Sequence, residues 1–142
     1  MTVSIRELDT EAEWRSAYPV MRQLRPDVGE DEYVDLLTTM QPEGYRLFAL
    51  SVDDQPVSLA GVSILTNLYD GRHVWVYDLV TDVEHRSNGY GGKLLEYLED
   101  WARERGCGVI TLSSGLQRTD AHRFYEERTN MNRSSYVFKK AL

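Results

Sequence analysis

A single cysteine, Cys107, is present, so no intrachain disulfide can form, and no cluster of potential metal ligands surrounds it. This fits a reducing compartment, and a cytoplasmic protein is expected. No stretch approaches the roughly 18 uninterrupted apolar residues of a membrane helix, and the N-terminus, with Arg6 and Glu7 early, lacks the apolar run of a signal peptide. Neither a membrane partner nor export is therefore expected. Positive charge is also scarce. The 16 Lys and Arg residues face 23 Asp and Glu residues, for a net charge of −7, and such a surface repels a phosphate backbone on average. Non-specific nucleic-acid binding is not expected, although a local cationic site can still hold a small anion. The three histidines, His73, His85 and His122, show no metal-ligand spacing, so no metal is expected.

What is present suffices for a core. The 142 residues are 42% hydrophobic and include three Trp, three Phe and nine Tyr, enough for one domain spanning residues 1–142. Val3 to Leu8 alternates as a short strand, and Thr10 with Glu13 signals a capping box for a helix carrying Trp14, Tyr18 and Met21. Pro19 is expected to kink or shorten that helix. Tyr33, Leu36, Leu37 and Met40 share one face of a second helix, from about Asp31 to Met40, which the Pro42 to Gly44 punctuation ends.

Three strands follow, over Tyr45 to Val52, Pro56 to about Thr66, and Val74 to Thr81. Turn residues Asp53-Asp54-Gln55 and Asp70-Gly71 separate them, which predicts an antiparallel meander. Beyond Thr81 a polar glycine-rich loop leads into a helix with Leu94, Leu95, Leu98, Trp101 and Ala102 on one face, closed by Gly106. A short strand over Val109 to Leu112, a helix over Thr119 to about Arg128 and a last strand over Tyr136-Val137-Phe138 complete the order β-α-α-β-β-β-α-β-α-β. This is an α/β (α+β) chain with a mixed central sheet and helices on both faces. The strand at Val109 should run parallel to its predecessor.

The loop Arg86-Ser87-Asn88-Gly89-Tyr90-Gly91-Gly92 carries the first chemical signal. A strand that ends in such a loop and then enters a helix presents free backbone N–H groups at a positive dipole end, which suits a phosphate or pyrophosphate. Glycine at 89 and 91 removes the Cβ from the anion's approach, and Arg86 can add a charge-assisted bond. A tight strand-to-helix turn without a ligand is the plainer reading. A dinucleotide fingerprint fails because Leu94 stands where its third small residue belongs, and a Walker loop fails because Leu94 follows Lys93.

Arg86, Gly89 and Gly91 fit the pattern R/Q-x-x-G-x-G/A, and the segment resembles motif A of the GNAT superfamily of acyl-CoA-dependent N-acetyltransferases. Tyr77 to His85 resembles that family's bulged fourth strand, Lys93 to Arg105 the following helix, and Ala121, Phe124 and Tyr125 its motif B. The resemblance implies acetyl-CoA as co-substrate. Its pantetheine arm would pair with the main chain of Leu79, Val80 and Thr81, and its pyrophosphate would rest on the amides of Ser87, Asn88, Gly89, Tyr90, Gly91 and Gly92. Where motif B opens with an asparagine this chain has Arg118, which can instead reach a cofactor phosphate, and the usual Gly-Phe after the helix is replaced by Arg128 to Asn132.

The implied reaction moves an acetyl or short acyl group directly to a primary amine of a small molecule or peptide. Tyr125 would be the acid for the departing thiolate, since a phenol of pKa about 10 can protonate it. Its alternative is an aromatic packing residue beside Phe124. Asp78 would take the ammonium proton or anchor the cation, or else face solvent at the bulge, while Val74 stands where other members carry a glutamate. A backbone N–H of Leu79 or Val80 would polarise the carbonyl. Asp31, Glu32, Tyr33 and Tyr45 are candidates for meeting the acceptor, or else form a solvated helix face. His73 and His85 read as turn residues, and His122 as a packing residue or base. The second reading is a non-catalytic acyl-CoA sensor or interaction module of the same fold. Many relatives form dimers, so a homodimer is an expectation too.

Overall fold

A computed structural model describes all 142 residues, in two compact units, Met1–Thr111 and Leu112–Leu142. The first opens with β1 (Val3–Leu8), α1 (Glu11–Leu24) and α2 (Glu30–Met40). The hairpin strands β2 (Arg46–Val52), β3 (Gln55–Asn67) and β4 (Gly71–Thr81) follow, then α3 (Tyr90–Glu104) and β5 (Val109–Leu112), whose last residue opens the second unit. The second unit contains α4 (Thr119–Arg128). No helix is long and apolar enough to cross a membrane.

Local chemistry starts and stops these elements. Thr10 caps α1 in a reciprocal capping box with Glu13, whose carboxylate also pairs with Arg6. Pro19 does not shorten this helix, which continues to Leu24, so the missing amide bond is outweighed by burial of Trp14, Ala17, Val20 and Met21. Asp53 and Asp54 both adopt positive φ, the geometry of a two-residue hairpin whose twist matches its strands. Gly44, at φ 109°, closes the short 3-10 turn after α2 and releases the chain into Tyr45 and β2.

The sheet order is β1-β2-β3-β4-β5, with the first four strands antiparallel in sequence and β5 completing a mixed sheet beside β4. Both faces are covered, which is why β2 reads as an almost unbroken apolar run. Leu47 and Ala49 pack with Leu59, Val80 and the apolar faces of α1 and α2. Phe48 points the other way, edge-on to Trp101 of α3, and Leu50 packs with Val57 and Tyr90. Cys107 is buried, as a structural thiol should be.

The strand expected over Tyr136-Val137-Phe138 is not formed. Residues 130–142 carry neither helix nor strand, and all three side chains are exposed, Phe138 at 94%. Three consecutive apolar residues between Ser134-Ser135 and Lys139-Lys140 are too few to hold a strand without a ladder partner. His73 also departs from expectation. It lies in β4, buried, with ring Nδ1 2.8 Å from the Gly71 carbonyl.

Candidate active site

At the end of β4 a short turn over Val83–His85 leads into the loop before α3. Ser87 (φ 68°) and Gly89 (φ 77°) are both left-handed, and Gly89 is the N-cap of α3 with no side-chain capping bond. The first intrahelical bond runs from Lys93 N to Gly89 O at 3.0 Å, so the amides of Tyr90, Gly91 and Gly92 have no acceptor within the helix. A Cβ built on Gly89 or Gly92 meets nothing within 4 Å, which leaves the approach to those amides open. Asn88 holds the loop by donating to His85 O at 3.0 Å. Arg86 is exposed, with only a long 3.5 Å bond to Thr81 O. Tyr90 turns its ring into the core under Lys93 and offers the loop only its amide.

β4 itself is bulged. Asp78 lies opposite Gly61, but Val76 lies opposite Val62, so Tyr77 is the additional residue. The bulge changes which face the strand's side chains point to. Val74 and Val76 follow Val62 toward α3, whereas Asp78 and Val80 follow Gly61 and Leu59 toward α1 and α2. Leu79, Val80 and Thr81 continue the strand, and Thr81 Oγ1 sits 2.9 Å from Ser58 Oγ.

Asp78 is thereby placed under α1 and α2 with only 12% of its side chain exposed. Its Oδ1 accepts from Arg25 Nε at 2.9 Å and its Oδ2 accepts from Tyr45 Oη at 2.7 Å. Arg25, the C-cap of α1, also donates from Nη2 to Tyr77 O at 2.8 Å, so it clamps the bulge as well as the carboxylate. Gly61 makes the arrangement possible, because a Cβ there would overlap Oη and Cζ of Tyr45. Burial, reinforced by the Asp78 charge, pushes the Tyr45 phenol well above its usual range and keeps it a donor. The carboxylate, its two donors and the rings of Tyr18 and Tyr33 line a cavity of about 160 Å³. Asp31 and Glu32 take no part in it. Asp31 instead pairs with Arg15 at 3.1 Å, and Glu32 is exposed.

In the second unit Tyr125 is buried, stacked edge-on against Phe124 at a 5.4 Å centroid distance. Burial raises its phenol above the ordinary value, with the Arg118 charge opposing, so the hydroxyl is protonated at neutral pH. Arg118 is the N-cap of α4. His122 Nε2 lies 2.8 Å from Gly115 O, a hydrogen bond that ties α4 to the loop before it.

The pattern described as the Acetyltransferase (GNAT) family matches residues 9–130. The chain belongs to this family. It is 41% identical to the uncharacterized N-acetyltransferase YhdJ of Bacillus subtilis (strain 168), over 99% of both chains. A 67-residue stretch, 47% of this chain, is 37% identical to 43% of the aminoalkylphosphonate N-acetyltransferase of Salmonella typhimurium. Among solved structures, an aminoglycoside N-acetyltransferase, AAC(6')-Iy in complex with CoA, superposes at TM-score 0.85 with 15% identity, covering 99% of this chain and 95% of that one. The protein is accordingly an acyltransferase with the GNAT fold.

Membership implies acetyl-CoA, and the loop suits that ligand's pyrophosphate through three free amides, open space above Gly89 and Gly92, and an exposed cation at Arg86. Sequence reasoning reached these residues and Asp78. It did not find Arg25 or Gly61, although an isolated glycine inside a strand is itself a sign of a bulge or a close approach.

Proposed function

We propose that the protein transfers an acetyl or short acyl group from acetyl-CoA to a primary amine of a small molecule or peptide, directly and in a ternary complex. The observation that carries this reading is the uncapped N-terminus of α3, which follows a bulged β4 and bears the Arg86, Gly89 and Gly91 pattern inside a GNAT chain. Ser87 to Gly92 and Arg86 hold the pyrophosphate, with Arg118 as a further phosphate contact, and the main chain of Leu79, Val80 and Thr81 pairs with the pantetheine arm. The family match runs through both compact units, which supports reading residues 1–142 as one catalytic domain; the single cysteine fits work in the reducing cytoplasm.

Acetyl-CoA supplies an activated carbonyl carbon, which forms the N–C bond to the amine as its C–S bond breaks. Asp78 holds the incoming ammonium beside β4. Its oxygens already accept from Arg25 and Tyr45, so it acts chiefly as an anchor, and the ammonium proton leaves through water. A β4 amide at Leu79 or Val80 polarises the carbonyl. Tyr125 donates its phenolic proton to the departing sulfur and regains one from the acylated nitrogen through solvent. The phenol stays protonated across the neutral range and so is available as the donor.

Isothermal titration with acetyl-CoA and CoA, followed by thiol release over a panel of amines, tests the reading. Binding with amine-dependent release is expected, and absence of binding would overturn it. In Tyr125→Phe, turnover should fall by about 10²- to 10⁴-fold, the usual worth of one acid–base group, while CoA affinity stays unchanged.

A further inference from the structure

The cavity beneath α1 and α2 is charged at one end and apolar elsewhere. Only two charged side chains line it, Asp78 and Arg25, and they neutralise each other across 2.9 Å. The pocket therefore offers no net negative charge to attract a simple cation. An amine that bonded Asp78 alone would have to compete with a guanidinium already in place and leave that guanidinium short of a partner.

An acceptor that brings its own anion avoids this cost. Arg25 has five N–H donors and commits two of them, to Asp78 and to Tyr77 O, which leaves three for a ligand. Its side chain is 48% exposed and so is accessible, while Asp78 lies deeper. An ammonium on Asp78 and an anion on Arg25 would set four charges in alternation. Because the two protein groups touch, the ligand's amine and anion must also be close, as on a shared carbon.

The remaining lining sets the third requirement. Met21, Leu36, Leu37 and Met40 are apolar. The hydroxyls of Tyr18 and Tyr33 are already donated to Val28 O and Trp14 O, so these residues offer only their rings. The volume of about 160 Å³ compares with the roughly 150 Å³ of an apolar cavity that admits one benzene.

Resting on the transferase reading above, we infer that the acceptor is an amphoteric amine, with a carboxylate or phosphonate on the amine-bearing carbon and one leucine- to phenylalanine-sized apolar side chain. Arg25 is then the residue that selects it.

Titration calorimetry on the full chain, first with acetyl-CoA and then on the CoA-saturated protein, tests this with four probes. These are L-leucine, its phosphonate analogue, isopentylamine, which lacks the anion, and isocaproate, which lacks the amine. At least one amphoteric probe should bind about tenfold or more tightly than isopentylamine and isocaproate, as one charge-assisted contact allows. Which of the two binds better identifies the anion. Arg25→Ala should abolish the preference over isopentylamine without changing CoA affinity, and Arg25→Lys should restore part of it. In turnover, Arg25→Ala should raise the acceptor KM more than it lowers kcat. Equal or tighter binding of isopentylamine, no binding of either amphoteric probe, or an undiminished preference in Arg25→Ala would each overturn the inference while the transferase reading stands. Failure of acetyl-CoA to bind at the first step would overturn both.

Discussion

The loop before α3 and the pocket around Asp78 are built by opposite means. The loop is open and made of consecutive residues, and its offering is backbone: three amides freed by helix geometry at a glycine N-cap. The pocket is half open and made of residues from four separate places: the side chains of Arg25, Tyr45 and Asp78 hold one another, and Gly61 leaves room for Tyr45. A backbone site tolerates varied side chains and demands a particular φ. A side-chain site tolerates little change in either partner, because each group satisfies the next.

The largest test of this contrast is Gly61→Ala. The added Cβ must displace Tyr45 from Asp78, and overpacking of this kind costs about 1–3 kcal/mol. A lower melting temperature and a raised acceptor KM are expected, with acetyl-CoA affinity measured by titration largely kept. Equal losses of CoA and acceptor binding would mean that the two regions are one coupled unit. Next in size is Arg86→Ala, which should weaken CoA binding about tenfold or more, with a reduced salt dependence, and leave the acceptor KM alone. Gly89→Ala should weaken it by a similar or smaller factor, through strain at φ 77°.

Two pH measurements sharpen the picture. Burial raises the Tyr125 phenol, so the alkaline loss of kcat should begin above about pH 10, the ordinary range of tyrosine. That limb should vanish in Tyr125→Phe. The smallest expected effect lies away from both sites. The hydrogen bond from Arg6, with further bonds from Asp9 and Thr10, lowers the Glu13 carboxyl to about 2. A depressed carboxyl contributes stability above its unfolded value, and that stability is lost as pH falls through the folded one. Glu13→Gln should therefore flatten the melting temperature between about pH 4.5 and 2, as read by calorimetry.

Much of the fold was legible in the sequence. Alternation marked β1, turn residues separated β2, β3 and β4, helical periodicity marked α3, and Thr10 with Glu13 marked the start of α1. The failures came where a neighbour decides. Tyr136 to Phe138 has strand chemistry but no ladder, and Pro19 stays within a helix whose packing outweighs one lost bond. Of the candidate site, the loop of Arg86 and the glycines was readable because its geometry is local, set by spacing along the chain.

By itself the sequence determined a GNAT chain with an uncapped, glycine-rich helix start, since φ preference, helix dipole and motif spacing all act over a few residues. Only the tertiary structure decided what Asp78 faces. A one-residue bulge at Tyr77 turns it toward α1 and α2, and Gly61 makes room for Tyr45 to reach it. The helix end at Arg25 gives it a cationic partner 53 residues away in the chain. Such contacts follow from register and packing between distant segments, which no local pattern encodes.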